Sequence, residues 1–259
     1  MTSQSVTKFH RDMSPFIIAE VGNNHEGDFG RAKELVHAAV AAGVGAVKFQ
    51  TINPRKLVTT DQVDRIEQLN RFRFDNDQFA ELSELAHNNG VAFFSTPFDL
   101  DTVNQLDPIQ RLFKISSGDN TFYDLVCEVG KKGKPTLIST GGMTLDGICE
   151  LQQMFFDTAA PRSQLILLHC ISLYPTQPED AQLWRIKWLL DTFPDLTIGY
   201  SDHTLGLEAC KIAIALGARV LEKHFTLDNK FSNFRDHALS LNPKNFKIMV
   251  NQIRDAENI

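Results

Sequence analysis

Lys48 and Lys114 each stand inside an otherwise apolar run, AVKFQ and LFKI. Burying an ammonium there costs several kcal/mol unless an anion meets it. A buried carboxylate of the chain, such as Glu20 or Glu222, would serve, and for one lysine that is the simpler reading. Two such lysines beside a rim of Ser117, Ser139 and Ser201 favour an anionic ligand, a phosphate or a carboxylate. The glycine-containing turns SSGD and STGG would add backbone N–H groups to the same anion. His203 and His224 lie 21 residues apart, about one strand–helix–strand unit. They would top neighbouring strands and could share a divalent metal, with positions left open for water and a substrate oxygen. A lone histidine is more often a hydrogen-bonded core residue, so His25, His169 and His237 are not assigned as ligands.

These groups need a frame that brings them together. Eight apolar, β-branched runs bounded by Gly or Pro read as buried parallel strands: Phe16 to Val21, Ala46 to Gln50, Ala92 to Ser95, Leu112 to Ile115, Thr136 to Ser139, Leu165 to His169, Thr197 to Tyr200 and Val220 to Lys223. Helix-period stretches follow them near 29 to 42, 76 to 88, 99 to 106, 121 to 131, 145 to 157, 179 to 192, 206 to 216 and 243 to 257. Eight β-α units in 259 residues fit a single α/β domain, a (β/α)8 TIM barrel, with residues 1–15 as an N-terminal extension. A doubly wound sheet usually has fewer strands and a nucleotide fingerprint after the first. Neither GxGxxG nor GxxxxGK[ST] is present, and the early loop reads VGNNHEG.

In such a barrel the chemistry sits at the C-terminal ends of the strands, and nearly every strand here ends in polar residues. Between Ile52 and Phe74 an extended, irregular loop follows strand two, carrying Arg55, Lys56, Arg65, Arg71 and Arg73. It reads equally as a substrate lid or as a solvated insertion.

Composition narrows the classes. With 42% hydrophobic and 22% charged residues the chain is an ordinary globular protein, neither disordered nor fibrous. A net charge of -6 argues against nucleic acid as the main partner. The four cysteines form no CxxC pair and read as reduced and structural. There is no signal-peptide pattern at the start and no apolar run of membrane-spanning length, so a cytoplasmic location is expected.

The ordered segments IAEVGNNHEGD, AVKFQT, FFSTPFD, FKISSGD, LISTGGM, LLHCISLYPT, IGYSDHT and LEKHFTLD resemble the motifs of the N-acetylneuraminate (sialic acid) synthase family, over roughly residues 16 to 246. The resemblance implies a TIM barrel that condenses phosphoenolpyruvate with an N-acetylated aldose, giving a nine-carbon 2-keto acid and phosphate. It also implies a divalent metal, usually manganese or magnesium, held by His203 and His224. Lys48, Thr96, Lys114, Ser117, Ser139, Tyr174 and Ser201 would form the phosphoenolpyruvate cradle, whose two lysines would hold the dianion and spread charge as the C–C bond forms. Asp119 would steer the water that quenches the cationic centre, Glu20 would contact the sugar and the metal shell, and Asp236 would hold the sugar.

Three departures from the pattern stand out. Ser172 replaces an Asn, Asp119 replaces a Glu, and FRDH replaces GPDH after strand eight, placing Phe234 and Arg235 where the family has Gly and Pro. Typical members also continue into a small antifreeze-like domain that caps a partner's site, whereas this sequence ends at Ile259. The resemblance leaves the oligomeric state open between monomer and homodimer. The competing readings are a related synthase with another aldose, a metal aldolase in which Lys114 would form an imine, and a catalytically impaired barrel that binds sugar or phosphate. Two metal-ligand histidines make the imine unnecessary.

Overall fold

In the computed structural model, which describes residues 9–158 and 160–257, eight parallel strands form the barrel: β1 (Phe16–Gly22), β2 (Ala46–Thr51), β3 (Ala92–Pro97), β4 (Phe113–Ile115), β5 (Thr136–Ser139), β6 (Leu165–Cys170), β7 (Thr197–Asp202) and β8 (Val220–His224). Around them run α1 (Phe29–Ala42), α2 (Pro54–Leu57), α3 (Val63–Arg71), α4 (Asn76–Asn88), α5 (Leu100–Leu106), α6 (Tyr123–Lys131), α7 (Leu145–Asp157), α8 (Trp184–Thr192), α9 (Glu208–Ala215), α10 (Arg235–Leu239) and α11 (Pro243–Ala256). The ladder order is β3-β2-β1-β8-β7-β6-β5-β4, and β3 lies against β4 to complete the ring. The expected TIM barrel is therefore the observed one. None of the described helices is long and apolar enough to cross a membrane.

Local chemistry sets the helix starts. Asp28 accepts from the Arg31 amide ahead of α1, Thr144 accepts from the Gly147 amide ahead of α7, and Asp75 and Gln78 form a reciprocal capping box on α4. Two expectations are corrected. The stretch from Ile52 to Phe74 is not irregular: it holds α2 and α3, and it folds back on the barrel through buried Leu69, Phe72 and Phe74. The helix expected from 179 begins at Trp184, after a short 3-10 turn at Pro178–Asp180.

Strand period two sorts the side chains. One parity faces the helices, where Ile17, Ala19, Val47 and Leu221 join the outer core. The other points down the barrel axis. Its lower layer is apolar, built from Ile18, Ala46, Phe94, Leu137, Ile166 and Val220. Phe9 closes it from below, edge-on to Phe16 with ring centroids 5.3 Å apart. Arg11 ties this part of the N-terminal extension down by donating to the carbonyls of Leu190 and Phe193, while residues 1–8 lie outside the described residues. The barrel is thus a sealed apolar plug with its free end at the strand C-termini.

Candidate active site

Above the plug, the axial positions turn polar. Glu20 pairs in register with Lys48 across β1 and β2, and Ser201 with Glu222 across β7 and β8. Lys48 Nζ lies 2.8 Å from Glu20 Oε2 and 3.5 Å from Glu222 Oε2, and donates to Thr96 Oγ1 at 3.1 Å. Lys114 Nζ donates to Ser139 Oγ at 2.7 Å and to the Ile115 carbonyl at 3.1 Å, and stands 3.9 Å from Glu222 Oε1. Ser201 Oγ donates to that same oxygen at 2.8 Å. The internal carboxylates weighed as partners for the lysines are therefore both in place, and burial alone does not demand an external anion.

The compensation is uneven. Lys48 has two carboxylates, which outweigh its burial and hold its pKa up, whereas burial outweighs the more distant Glu222 at Lys114 and pushes that pKa down. Burial also lifts Glu20 to about 7, against the pull of Lys48 and with the help of Glu222. Glu222, buried but facing Lys114 and Lys48, is held below the usual carboxylate range. Sequence reasoning placed Glu222 and Gln50 among the polar strand ends but gave no role to Gln50, whose Nε2 donates to Glu20 Oε1 at 2.9 Å while its Oε1 accepts from Asn23.

Ser117 and Gly141 line the β4–β5 side of the mouth. The Gly141 amide donates to Ser117 Oγ at 3.2 Å, and a Cβ at Gly141 would fall 2.6 Å from the hydroxyls of both Ser117 and Ser172. Only glycine leaves this cleft open. Asp119 bonds none of the lysine–glutamate cluster, though it lies within electrostatic reach of Lys114. Its half-buried carboxylate accepts from Ser116 Oγ, and burial raises its pKa.

His203 and His224 come together as expected, with ring centroids 5.4 Å apart. His203 Nδ1 donates to the Ile171 carbonyl at 2.8 Å, and although burial opposes it, Cys170 and this carbonyl raise the His203 pKa. His224 is kept neutral by burial and by His203, and its buried Nδ1 has no hydrogen-bond partner, with Asp236 Oδ2 3.8 Å away. Paired imidazoles, one of them with an orphaned buried ring nitrogen, suit a divalent cation that draws its other ligands from water and substrate. No cluster of three His, Cys, Asp or Glu suited to a metal occurs among the described residues. Tyr174 covers the pair, its ring centroid 4.1 Å from that of His203. Three other buried histidines are engaged elsewhere: His25 stacks on Phe74, His169 bonds the Ala181 carbonyl, and His237 bridges Glu26 and Thr226.

Behind the histidines, on the opposite strand parity, Asp202 and Lys223 are register partners with both side chains fully buried. Lys223 Nζ lies 2.7 Å from Asp202 Oδ2, and Asp202 also accepts from Tyr200 Oη, the Thr204 amide and Cys210 Sγ.

A parallel barrel whose open end gathers buried lysines, carboxylates and paired imidazoles is an enzyme of the TIM-barrel class. Over residues 35–259 the chain matches the model of the NeuB family. It is 44% identical over 245 residues to an uncharacterized protein of Methanocaldococcus jannaschii, covering 94% of this chain and 71% of that one. It is 38% identical over 270 residues to the N,N'-diacetyllegionaminic acid synthase of Legionella pneumophila, covering 95% and 73% of the two chains. Among solved structures, the N-acetylneuraminic acid (sialic acid) synthetase of Leptospira borgpetersenii superposes with a TM-score of 0.91 at 30% identity, covering 98% of this chain and 87% of that one. The chain belongs to the NeuB family and is a sialic-acid-synthase-like enzyme.

Proposed function

We propose that this enzyme condenses phosphoenolpyruvate with an N-acetylated aldose to give a nonulosonic acid and phosphate. The observation that carries the reading is that Lys48 and Lys114 converge on one carboxylate, Glu222, leaving Lys114 with no anion nearer than 3.9 Å. A phosphate or carboxylate group of phosphoenolpyruvate supplies the missing charge, and Thr96, Ser117, Ser139 and Ser201 surround it with hydroxyls.

In the step proposed, C3 of phosphoenolpyruvate forms a bond to the aldehyde carbon, and C2 becomes cationic. The two lysines hold the donor's negative charge through that change. Water adds to C2, guided by the Asp119 carboxylate, and phosphate then leaves with the bridging oxygen by C–O cleavage, so that C2 becomes the keto carbon. Glu20, fixed by Gln50 and Lys48, and Asp236, beside His224, orient the acceptor's hydroxyls. A divalent metal such as manganese or magnesium, held by His203 and His224, would act as a Lewis acid on the acceptor aldehyde.

The test is phosphate release from phosphoenolpyruvate with manganese and a panel of 2-acetamido aldoses including N-acetylmannosamine, for the wild type and for His203→Ala. Sugar-dependent release that the substitution abolishes supports the reading. Protein that binds manganese and phosphoenolpyruvate but releases nothing with any sugar contradicts it and favours a binding barrel.

A further inference from the structure

The FRDH segment after β8 brings one cation to both sides of the histidine pair. Phe234 precedes α10 and Arg235 is its first residue. The Arg235 guanidinium lies 4.7 Å from the centroid of the Tyr174 ring, well inside the range of a cation–π contact. That ring lies 4.1 Å from His203 and meets His224 edge-on at 6.3 Å, centroid to centroid. Arg235 also turns its Nε to Asp236 Oδ1 at 3.4 Å, and Asp236 Oδ2 stands 3.8 Å from His224 Nδ1. One guanidinium thus reaches the two groups that flank the imidazoles, the ring over His203 and the carboxylate beside His224.

The backbone on either side of Arg235 is fixed. Before it, the Phe234 amide donates to Ser232 Oγ at 3.0 Å, and the Phe234 ring packs edge-on against Phe72 at the end of α3, with centroids 5.3 Å apart. After it, the fully buried His237 lies 2.9 Å from Glu26 Oε1 through Nε2 and 2.7 Å from Thr226 Oγ1 through Nδ1. This frame aims the guanidinium at Tyr174. The Arg235 side chain itself is 65% exposed, so core packing does not depend on it. A glycine or proline, as in the GPDH pattern, would reach neither Tyr174 nor the Asp236 carboxylate.

We propose that Arg235 is a positioning residue of this enzyme: it holds Tyr174 over His203 and Asp236 beside His224, and so sets how tightly the metal and the acceptor aldose are held. For the acceptor the proposal rests on the condensation proposed above. A planar guanidinium stacks on an aromatic face while its N–H groups serve a carboxylate, whereas a lysine ammonium is a point charge without that fork. Arginine and lysine are therefore not equivalent at 235.

The experiment compares the wild type with Arg235→Lys and Arg235→Gln, each labelled with 3-fluorotyrosine. The chain has three tyrosines, Tyr123, Tyr174 and Tyr200, and Tyr174→Phe assigns the resonance of interest. In the metal-free protein the Tyr174 fluorine resonance is expected to move by more than its line width in Arg235→Gln, while those of Tyr123 and Tyr200 stay in place. Manganese Kd by calorimetry, and KM for the aldose that gives the fastest phosphate release, are expected to rise at least fivefold in that variant. Arg235→Lys is expected to lie nearer to Arg235→Gln than to the wild type in all three readouts. A Tyr174 resonance that does not move, with manganese Kd within twofold of the wild type, overturns the proposal. So does movement of all three resonances, which would mark a general loss of structure, and so does a lysine variant equal to the wild type, which would make charge alone sufficient. Failure of the wild type to release phosphate with any aldose contradicts the condensation, and the resonance and the manganese affinity still decide the role of Arg235.

Discussion

Replacing Asp202 with Asn removes one half of a pair that has no access to solvent, since Asp202 and Lys223 are both 0% exposed. Asn can keep the bonds at the Oδ1 position to Tyr200 and to the Thr204 amide. It cannot neutralise the ammonium 2.7 Å away, whose other partner is the Thr204 carbonyl. Breaking one side of a buried pair costs about 3–5 kcal/mol, because the partner is left charged and dry. In a chain of this size each kcal/mol moves the melting temperature by about 2–4 °C, so Asp202→Asn should melt about 6–20 °C below the wild type. The variant Asp202→Asn/Lys223→Met should recover part of that loss, since the stranded charge is gone. The pair ties β7 to β8 one residue before His203 and His224, so a weaker manganese affinity is expected in the single variant. The assay is chemical and thermal denaturation of the three proteins, with a manganese titration. A single variant within 1 kcal/mol of the wild type, or a double variant no better than the single, would refute the reasoning.

Three further outcomes are expected. Lys114→Met should weaken phosphoenolpyruvate binding at least a hundredfold by calorimetry with little loss of stability, because Lys114 is the under-compensated cation; unchanged affinity would contradict its role. Phosphoenolpyruvate binding near pH 7 should take up protons: burial holds the Glu20 pKa at about 7 against Lys48, and a ligand that draws Lys48 away removes the opposing charge. Calorimetry in two buffers of different ionisation enthalpy measures the uptake, and none would count against the arrangement. His25 is buried against Phe74 and pushed down to about 3, so the unfolded chain binds its proton first as acid is added. Its contribution is full above about pH 6.5 and is lost as pH falls through about 3, and His25→Phe should flatten that limb of a stability–pH curve.

Much of the architecture is written locally. Asp28, Asp75 and Thr144 mark the starts of α1, α4 and α7, and the expected helices 29–42, 76–88 and 145–157 coincide with the observed ones. Helix α3 buries only Leu69, yet Val63, Ile66 and Leu69 recur at helical spacing, so its signal was present and the irregular-loop reading overlooked it, whereas α10 is too short to show a period. The lysines, serines and histidines of the mouth were legible as polar residues at strand ends. Glu20 and Glu222 were legible as possible partners of the lysines, but which lysine meets which was not, because Lys48 meets Glu222 only when β1, β2 and β8 stand side by side in register. One signal was available: Glu222 and Lys223 are consecutive on a buried strand, so period two must send one into the barrel and the other towards the helices, and each then needs its own counter-charge.

The central claim is that the lysine–glutamate mouth holds phosphoenolpyruvate while its C3 attacks an aldose, and that phosphate leaves by C–O cleavage. Mass spectrometry of the products from phosphoenolpyruvate labelled with 18O at the bridging oxygen, with manganese and N-acetylated aldoses, tests this directly. The account predicts the label in inorganic phosphate and a sugar acid lengthened by three carbons. Label retained in pyruvate, with the sugar unchanged, would contradict it.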